Sequence, residues 1–172
     1  MLSPKGLGTA LVSVYDIGLA PPHAASALIQ VADVDWIKIV SGEEISLMEG
    51  QSQSIELMAG IDDGSTFDSS QYAYMDIHAY IKSHIVELVD DDDVSTPDGG
   101  YVSSSSFKIM GKQLGITTLY VSTRQQSGQE IVSQAIKVEV YAPPRIHPLD
   151  IFLVPGASYT LTLNGGPTIG IC

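Results

Sequence analysis

Apolar and polar residues alternate along most of this chain, the two-residue period of strands that bury one face. The clearest run is Tyr72 to Lys82, where Met75, Ile77, Ala79 and Ile81 fall on one side and Tyr74, Asp76, His78 and Tyr80 on the other. It predicts a half-buried strand. Phe107 and Ile109 share a face in the same way, and Thr117, Leu119 and Val121 share one in the next run. Between them stand Gly111 and Gly115, which permit a positive φ or a close backbone approach. Phe107–Ser122 therefore reads as strand, tight connection, strand, the pattern of an ordinary hairpin.

The same reading extends along the chain. Gly8–Val14, Ala27–Val34, Asp35–Ile39, Ile45–Gly50, Ser54–Met58, Ile85–Val89 and Gln134–Tyr141 are strand patterns, and Leu149 to Leu163 holds two more around Pro155-Gly156. Ala20-Pro-Pro22 and Ala142-Pro-Pro-Arg145 interrupt them, since proline cannot donate to a ladder. Gly60 to Ser70 and Asp90 to Gly100 are turn-rich polar loops. No segment holds a helical period over ten residues, and Ala24 to Ala32 is the one weak candidate. The class is all-β.

The pattern also repeats. A displacement of about 106 residues pairs Ile45, Leu47, Gly50, Ser52, Ile55 and Leu57 with Ile151, Leu153, Gly156, Ser158, Leu161 and Leu163. A displacement of about 107 pairs Gly8, Val12, Val14, Ile29 and Val31 with Gly115, Leu119, Val121, Ile136 and Val138. The simplest account is a tandem array of immunoglobulin-like sandwiches, without the Cys and Trp hallmarks of antibody domains. Residues 1–34 are then the C-terminal strands of one unit, 35–143 a complete domain, and 144–172 the first strands of a third. Strands left without neighbours at either end are exposed edges at which chains can pair.

Composition narrows the function classes. The chain has 172 residues, 44% of them hydrophobic, enough for a core. Its formal net charge of -12 argues against nucleic-acid binding, which needs clustered Lys and Arg. The single cysteine, Cys172, allows neither an internal disulfide nor a cysteine zinc site. No apolar run approaches the about 20 residues of a membrane-spanning helix. Met1-Leu-Ser-Pro-Lys-Gly6 lacks the apolar core of a signal peptide. Asn164-Gly-Gly166 is not a glycosylation acceptor.

The ending Gly111-Lys-Gln-Leu-Gly-Ile-Thr-Thr-Leu-Tyr-Val121 resembles the bacterial Ig-like group 2 module. Val34-Asp-Trp-Ile-Lys-Ile39 and Tyr141-Ala-Pro-Pro-Arg-Ile-His-Pro-Leu149 make the whole chain similar to the large lumenal pore-membrane glycoproteins of the nuclear pore complex, plant-type members above all. That resemblance implies a structural, non-catalytic segment on the lumenal side of the nuclear envelope. Its partners would be other copies of the same protein or other pore-membrane components, in an assembly that rings and anchors the pore. The family also carries a transmembrane helix and a short tail, neither of which this sequence contains. The alternative is an extracellular adhesin or carbohydrate-binding module of the same fold.

Candidate chemistry adds little. Asp90 to Asp93 could offer oxygen ligands to calcium, but without the spaced D-x-D-x-D-G…E arrangement a solvated acidic loop is expected. His78 and His84 stand six apart with no third ligand, so no metal is expected. No serine sits in a nucleophile elbow, Ser103–Ser106 reads as a polar lead-in, and Gly111-Lys112 has the wrong spacing for a phosphate loop. Neither catalytic residues nor a cofactor or small-molecule substrate is expected.

Overall fold

A computed structural model describes residues 3–18, 24–89, 95–96 and 99–168. Its strands are β1 (Gly8–Tyr15), β2 (Ala24–Val31), β3 (Trp36–Ile39), β4 (Glu44–Met48), β5 (Ser52–Gly60), β6 (Ile77–Ile81) and β7 (Val86–Val89). They continue as β8 (Ser95–Thr96), β9 (Gly99–Val102), β10 (Ser106–Gly111), β11 (Gly115–Arg124), β12 (Glu130–Val132), β13 (Ile136–Tyr141), β14 (Arg145–His147) and β15 (Thr162–Asn164). One 3₁₀ helix, Ser69–Tyr74, lies before β6.

The alternation decides what is inside. Ile37, Ile55, Leu57, Ala59, Val86, Leu88, Phe107 and Ile109 come from one sheet, ordered β3-β5-β10-β7-β8. Ile45, Leu47, Ile77, Ala79, Ile81, Leu119, Val121, Ile136, Val138 and Val140 come from the other, ordered β4-β13-β11-β6-β9, with β12 alongside β11. All join one buried cluster, so the two sheets pack face to face. Each fully buried Ile or Leu of this set contributes about 1.5–3 kcal/mol through apolar area removed from water.

The order matches the immunoglobulin plan. β3, β5, β10 and β7 take the places of strands A, B, E and D, and β6, β11 and β13 those of C, F and G. After leaving the first sheet the chain joins the second, where β4 lies parallel to β13, with Ile45 opposite Val138 and Leu47 opposite Val140. The fold is an all-β, immunoglobulin-like sandwich.

Three local expectations give way to the structure. Phe107–Ser122 is not a hairpin: β10 pairs with β5 and β7, β11 with β6 and β13, and the chain between them crosses from one sheet to the other. Gly111 ends β10 packed so closely on Val140 that a Cβ would stand 2.8 Å from its Cγ1. Gly115 starts β11 at φ +145. The backbone N–H groups of Lys112 and Gln113 both donate to the Ile85 carbonyl, which holds the crossover in place.

Second, the strand expected from Tyr72 begins only at Ile77. Asp68 accepts a hydrogen bond from the Ser70 backbone N–H and caps the 3₁₀ helix, which turns Tyr72 inward. The Tyr72 hydroxyl accepts the Ala59 N–H at 2.8 Å, a tertiary bond that outweighs the local alternation. Third, Ile151–Leu153 is not a strand, although its counterpart β4 is. β4 owes its ladder to β13, and no described strand stands beside residues 149–154 to do the same. The weak helix candidate at Ala24 to Ala32 is strand β2 through Val31.

The outer strands form two small separate sheets, β1 with β2 and β14 with β15. They reproduce features of the sandwich. Gly8 and Gly115 have φ +143 and +145, and Gly50 and Gly156 have +79 and +88. Ile146 pairs with Leu163, whose repeat counterpart Leu57 pairs with Ile39 in β3 and β5. The β1–β2 ladder differs in register: Gly8 faces Val31, whereas Gly115 faces Val140, two residues beyond the counterpart of Val31. A two-residue shift keeps every side chain on its own face.

Candidate interaction surfaces

The outer face of the second sheet carries an aromatic cluster. On β6 the outward residues are His78 and Tyr80, on β9 Tyr101, and on β11 Tyr120. Tyr80 and Tyr120 are direct cross-strand partners, and their rings stack at 5.0 Å between centroids and 14° between planes. His78 faces Tyr101 across the next rung, edge to face at 5.8 Å. Cross-strand aromatic pairs of this kind stabilise a sheet by about 0.2–1 kcal/mol each. Asp76 Oδ1 lies 3.0 Å from His78 Nε2, so the ring is oriented from one side. Tyr101 remains half exposed, and the cluster offers flat apolar surface with polar tips.

His84 is not part of this group: it lies in the exposed turn between β6 and β7. Among the described residues no three His, Cys, Asp or Glu side chains gather where they could hold a metal ion. Asp90 to Asp93 and Cys172 lie outside the described residues, as does Ala20-Pro-Pro22. Ser103 to Ser105 link β9 to β10 as a polar lead-in. Among the described residues, no helix is long and apolar enough to cross a membrane.

A second set of contacts ties the outer strands to the sandwich. Between β2 and β3, Val34 is buried in the sandwich core. Its carbonyl accepts Gln125 Nε2 at 2.7 Å, and Asp33 Oδ2 accepts the Gln126 N–H at 2.8 Å. Within the sandwich, Asp35 donates its N–H to the Gly60 carbonyl, and its carboxylate accepts the Asp62 N–H at 2.9 Å. Trp36 Nε1 donates to the Ile61 carbonyl, while Lys38 Nζ sits 5.3 Å from the indole centroid.

At the other end the chemistry recurs with different residues. Thr168, the repeat counterpart of Asp62, donates its backbone N–H to both carboxylate oxygens of Glu139 at 3.0 and 3.1 Å, and its hydroxyl bonds the same group. Gly166 N–H donates to the Ala142 carbonyl. Glu139 points outward from β13 yet is only 5% exposed, because this segment covers it. The sequence reading missed both joints. Its available signal was a lone carboxylate within the apolar run Ile136–Tyr141, directly before Pro143-Pro144.

Charge is set locally elsewhere. Asp63 is held below its usual carboxylate range by the backbone N–H of Ser65 and then by its side chain. Asp68 is lowered by the Ser70 hydroxyl and then by its backbone N–H. Both serve turns.

No family model matches the chain. Among solved structures, it is similar to domains 4 and 5 of the S-layer protein SbsC, at 16% identity over 80% of this chain and 60% of that one, TM-score 0.42. SbsC domains 1-6 match at 15% identity over 83% of this chain and 18% of that one, TM-score 0.45. A fibronectin(III)-like module structure of CbhA from Clostridium thermocellum matches at 16% over 60% of this chain and 93% of that one, TM-score 0.35. The chain thus spans less than two thirds of the SbsC structures it resembles.

Proposed function

We propose that this chain is a non-catalytic structural segment: a run of immunoglobulin-like units that contributes to the lumenal ring of the nuclear pore membrane and to its anchoring. The observation that carries the structural half of this reading is that the segment on either side is bonded to the sandwich: Gln125 Nε2 and the Gln126 N–H donate to the Val34 carbonyl and the Asp33 carboxylate at one end, and the Thr168 N–H donates to Glu139 at the other. Units tied to their neighbours by specific hydrogen bonds limit bending between them, as a load-transmitting rod requires. The lumenal pore assignment rests on the resemblance of Val34–Ile39 and Tyr141–Leu149 described above. Its partners would be other copies of the same protein or other pore-membrane components.

The adhesin or carbohydrate-binding alternative draws support from one feature, the Tyr80–Tyr120–Tyr101 cluster, since aromatic faces are a common platform for sugar rings and for protein partners. Imaging of the tagged full-length protein separates the two. The pore reading expects punctate staining of the nuclear rim that coincides with pores. Staining of the cell surface with an unlabelled rim would sink it and favour the alternative.

A further inference from the structure

We propose that a cleft on the outer face of the second sheet is a binding site for one neutral pyranose unit of an oligosaccharide. It rests on the binding reading of the aromatic face, and not on where the protein resides. The cleft encloses about 160 Å³ and lies over β11, between β6 and β12. Its floor is Ser122, whose neighbours across the two ladders are His78 on β6 and Val132 on β12. His78 and Tyr80 form one wall with Asp76, while Arg124 and Glu130, direct cross-strand partners, form the other. All six residues belong to the sandwich itself.

Each group suits a ligand that has hydroxyls and an apolar C–H face. Ser122 is 3% exposed, yet its hydroxyl makes no hydrogen bond among the described residues, so the floor holds a donor and acceptor in need of a partner. Tyr80 is fixed by its stack on Tyr120, and His78 by Asp76 and Tyr101, so the walls are ordered before anything binds. Arg124 supplies N–H donors, Asp76 and Glu130 supply acceptors, and no ion pair between Arg124 and Glu130 occupies them. The mixture of signs selects the ligand. Two carboxylates beside one guanidinium disfavour phosphate or sulfate, and no metal-ligating triplet gathers among the described residues. A sugar ring matches both halves, because its hydroxyls donate and accept while its C–H face packs on an aromatic ring. The volume is that of roughly five waters, the room that one ring takes.

Heteronuclear NMR of the full chain tests the site by titration with mannotetraose, which stands for protein-linked glycans, and with cellotetraose and galactotetraose, which stand for polysaccharides. At least one of the three should give saturable amide shifts centred on His78, Tyr80, Ser122, Arg124 and Glu130, and which one does so separates the two sources. Tyr80→Ala and Arg124→Ala should each weaken binding about tenfold, with the rest of the spectrum unmoved. Arg124 is exposed, so its variant tests the site even where Tyr80→Ala disturbs the sheet. No saturable shift with any of the three, shifts centred elsewhere, or affinity that Arg124→Ala leaves unchanged would overturn the site. So would equal shifts with inorganic phosphate or calcium. Nuclear-rim staining without saccharide binding would sink the site and leave the pore reading intact, whereas binding together with cell-surface staining would do the reverse.

Discussion

Single residues fix the places where backbone meets side chain, and glycine marks two of them. Gly60 closes β5 against the indole of Trp36 and the Ser65 carbonyl, both of which occupy the space a Cβ would need. Gly6 has nothing within 4 Å of that position. Gly60→Ala is therefore expected to cost about 1–3 kcal/mol through overpacking. Gly6→Ala should stay within about 0.5 kcal/mol, as substitutions at open surface do. Urea denaturation of the two variants checks this, and equal midpoints would remove the close-packing account of Gly60. From sequence, Gly60 read only as the start of a polar loop. Nothing local announces that a tryptophan 24 positions earlier will lie on it; antiparallel pairing of Trp36 with Gly60 creates that contact.

Elements were legible where the two-residue period had no competitor. Val86–Val89, Ser106–Gly111 and Ile136–Tyr141 occur within runs read as strands, and the face shared by Phe107 and Ile109 is buried. Reading failed where a partner decided the outcome. β12 and the short β8 and β9 carry too little pattern to announce themselves, and exist through ladders with β11, β7 and β6. The stretch from Tyr72 to Tyr74 alternates well, yet Asp68 caps it into a 3₁₀ turn. That cap makes a pH prediction. The folded carboxyl titrates below its ordinary value of 3.8, so its contribution is fully present above that value and is lost as pH falls through the lowered one. By NMR, Asp68 should titrate below 3.8, and Ser70→Ala should move the midpoint back towards 3.8 because it removes the largest cause. An unchanged midpoint in Ser70→Ala would show that the hydroxyl does not hold the charge.

At the scale of the molecule, the internal repeat of the sequence is visible in the backbone. It anticipated the matched glycine conformations at Gly8 and Gly115 and at Gly50 and Gly156, because a left-handed backbone position restricts the residue that can occupy it. It could not supply the contacts at the two ends of the sandwich, because Gln125 and Gln126 make them at one end and Thr168 at the other, with different acceptors. The aromatic face was half visible, since alternation put His78 and Tyr80 together but not Tyr101 or Tyr120 beside them.

The sandwich from Trp36 to Tyr141 is expected to be stable by itself, since it holds every residue of the buried core but Val34 and the β1–β2 and β14–β15 sheets add none. Native-state amide hydrogen exchange on the dilute full chain tests this most directly. Amides of Ile55, Ile109, Val121 and Val138 should exchange only through global unfolding, with one common dependence on denaturant. Those of β1–β2 and β14–β15 should exchange faster and with little dependence on denaturant. Equal protection and a shared denaturant slope across the fifteen described strands would contradict this, and would make the chain one cooperative body.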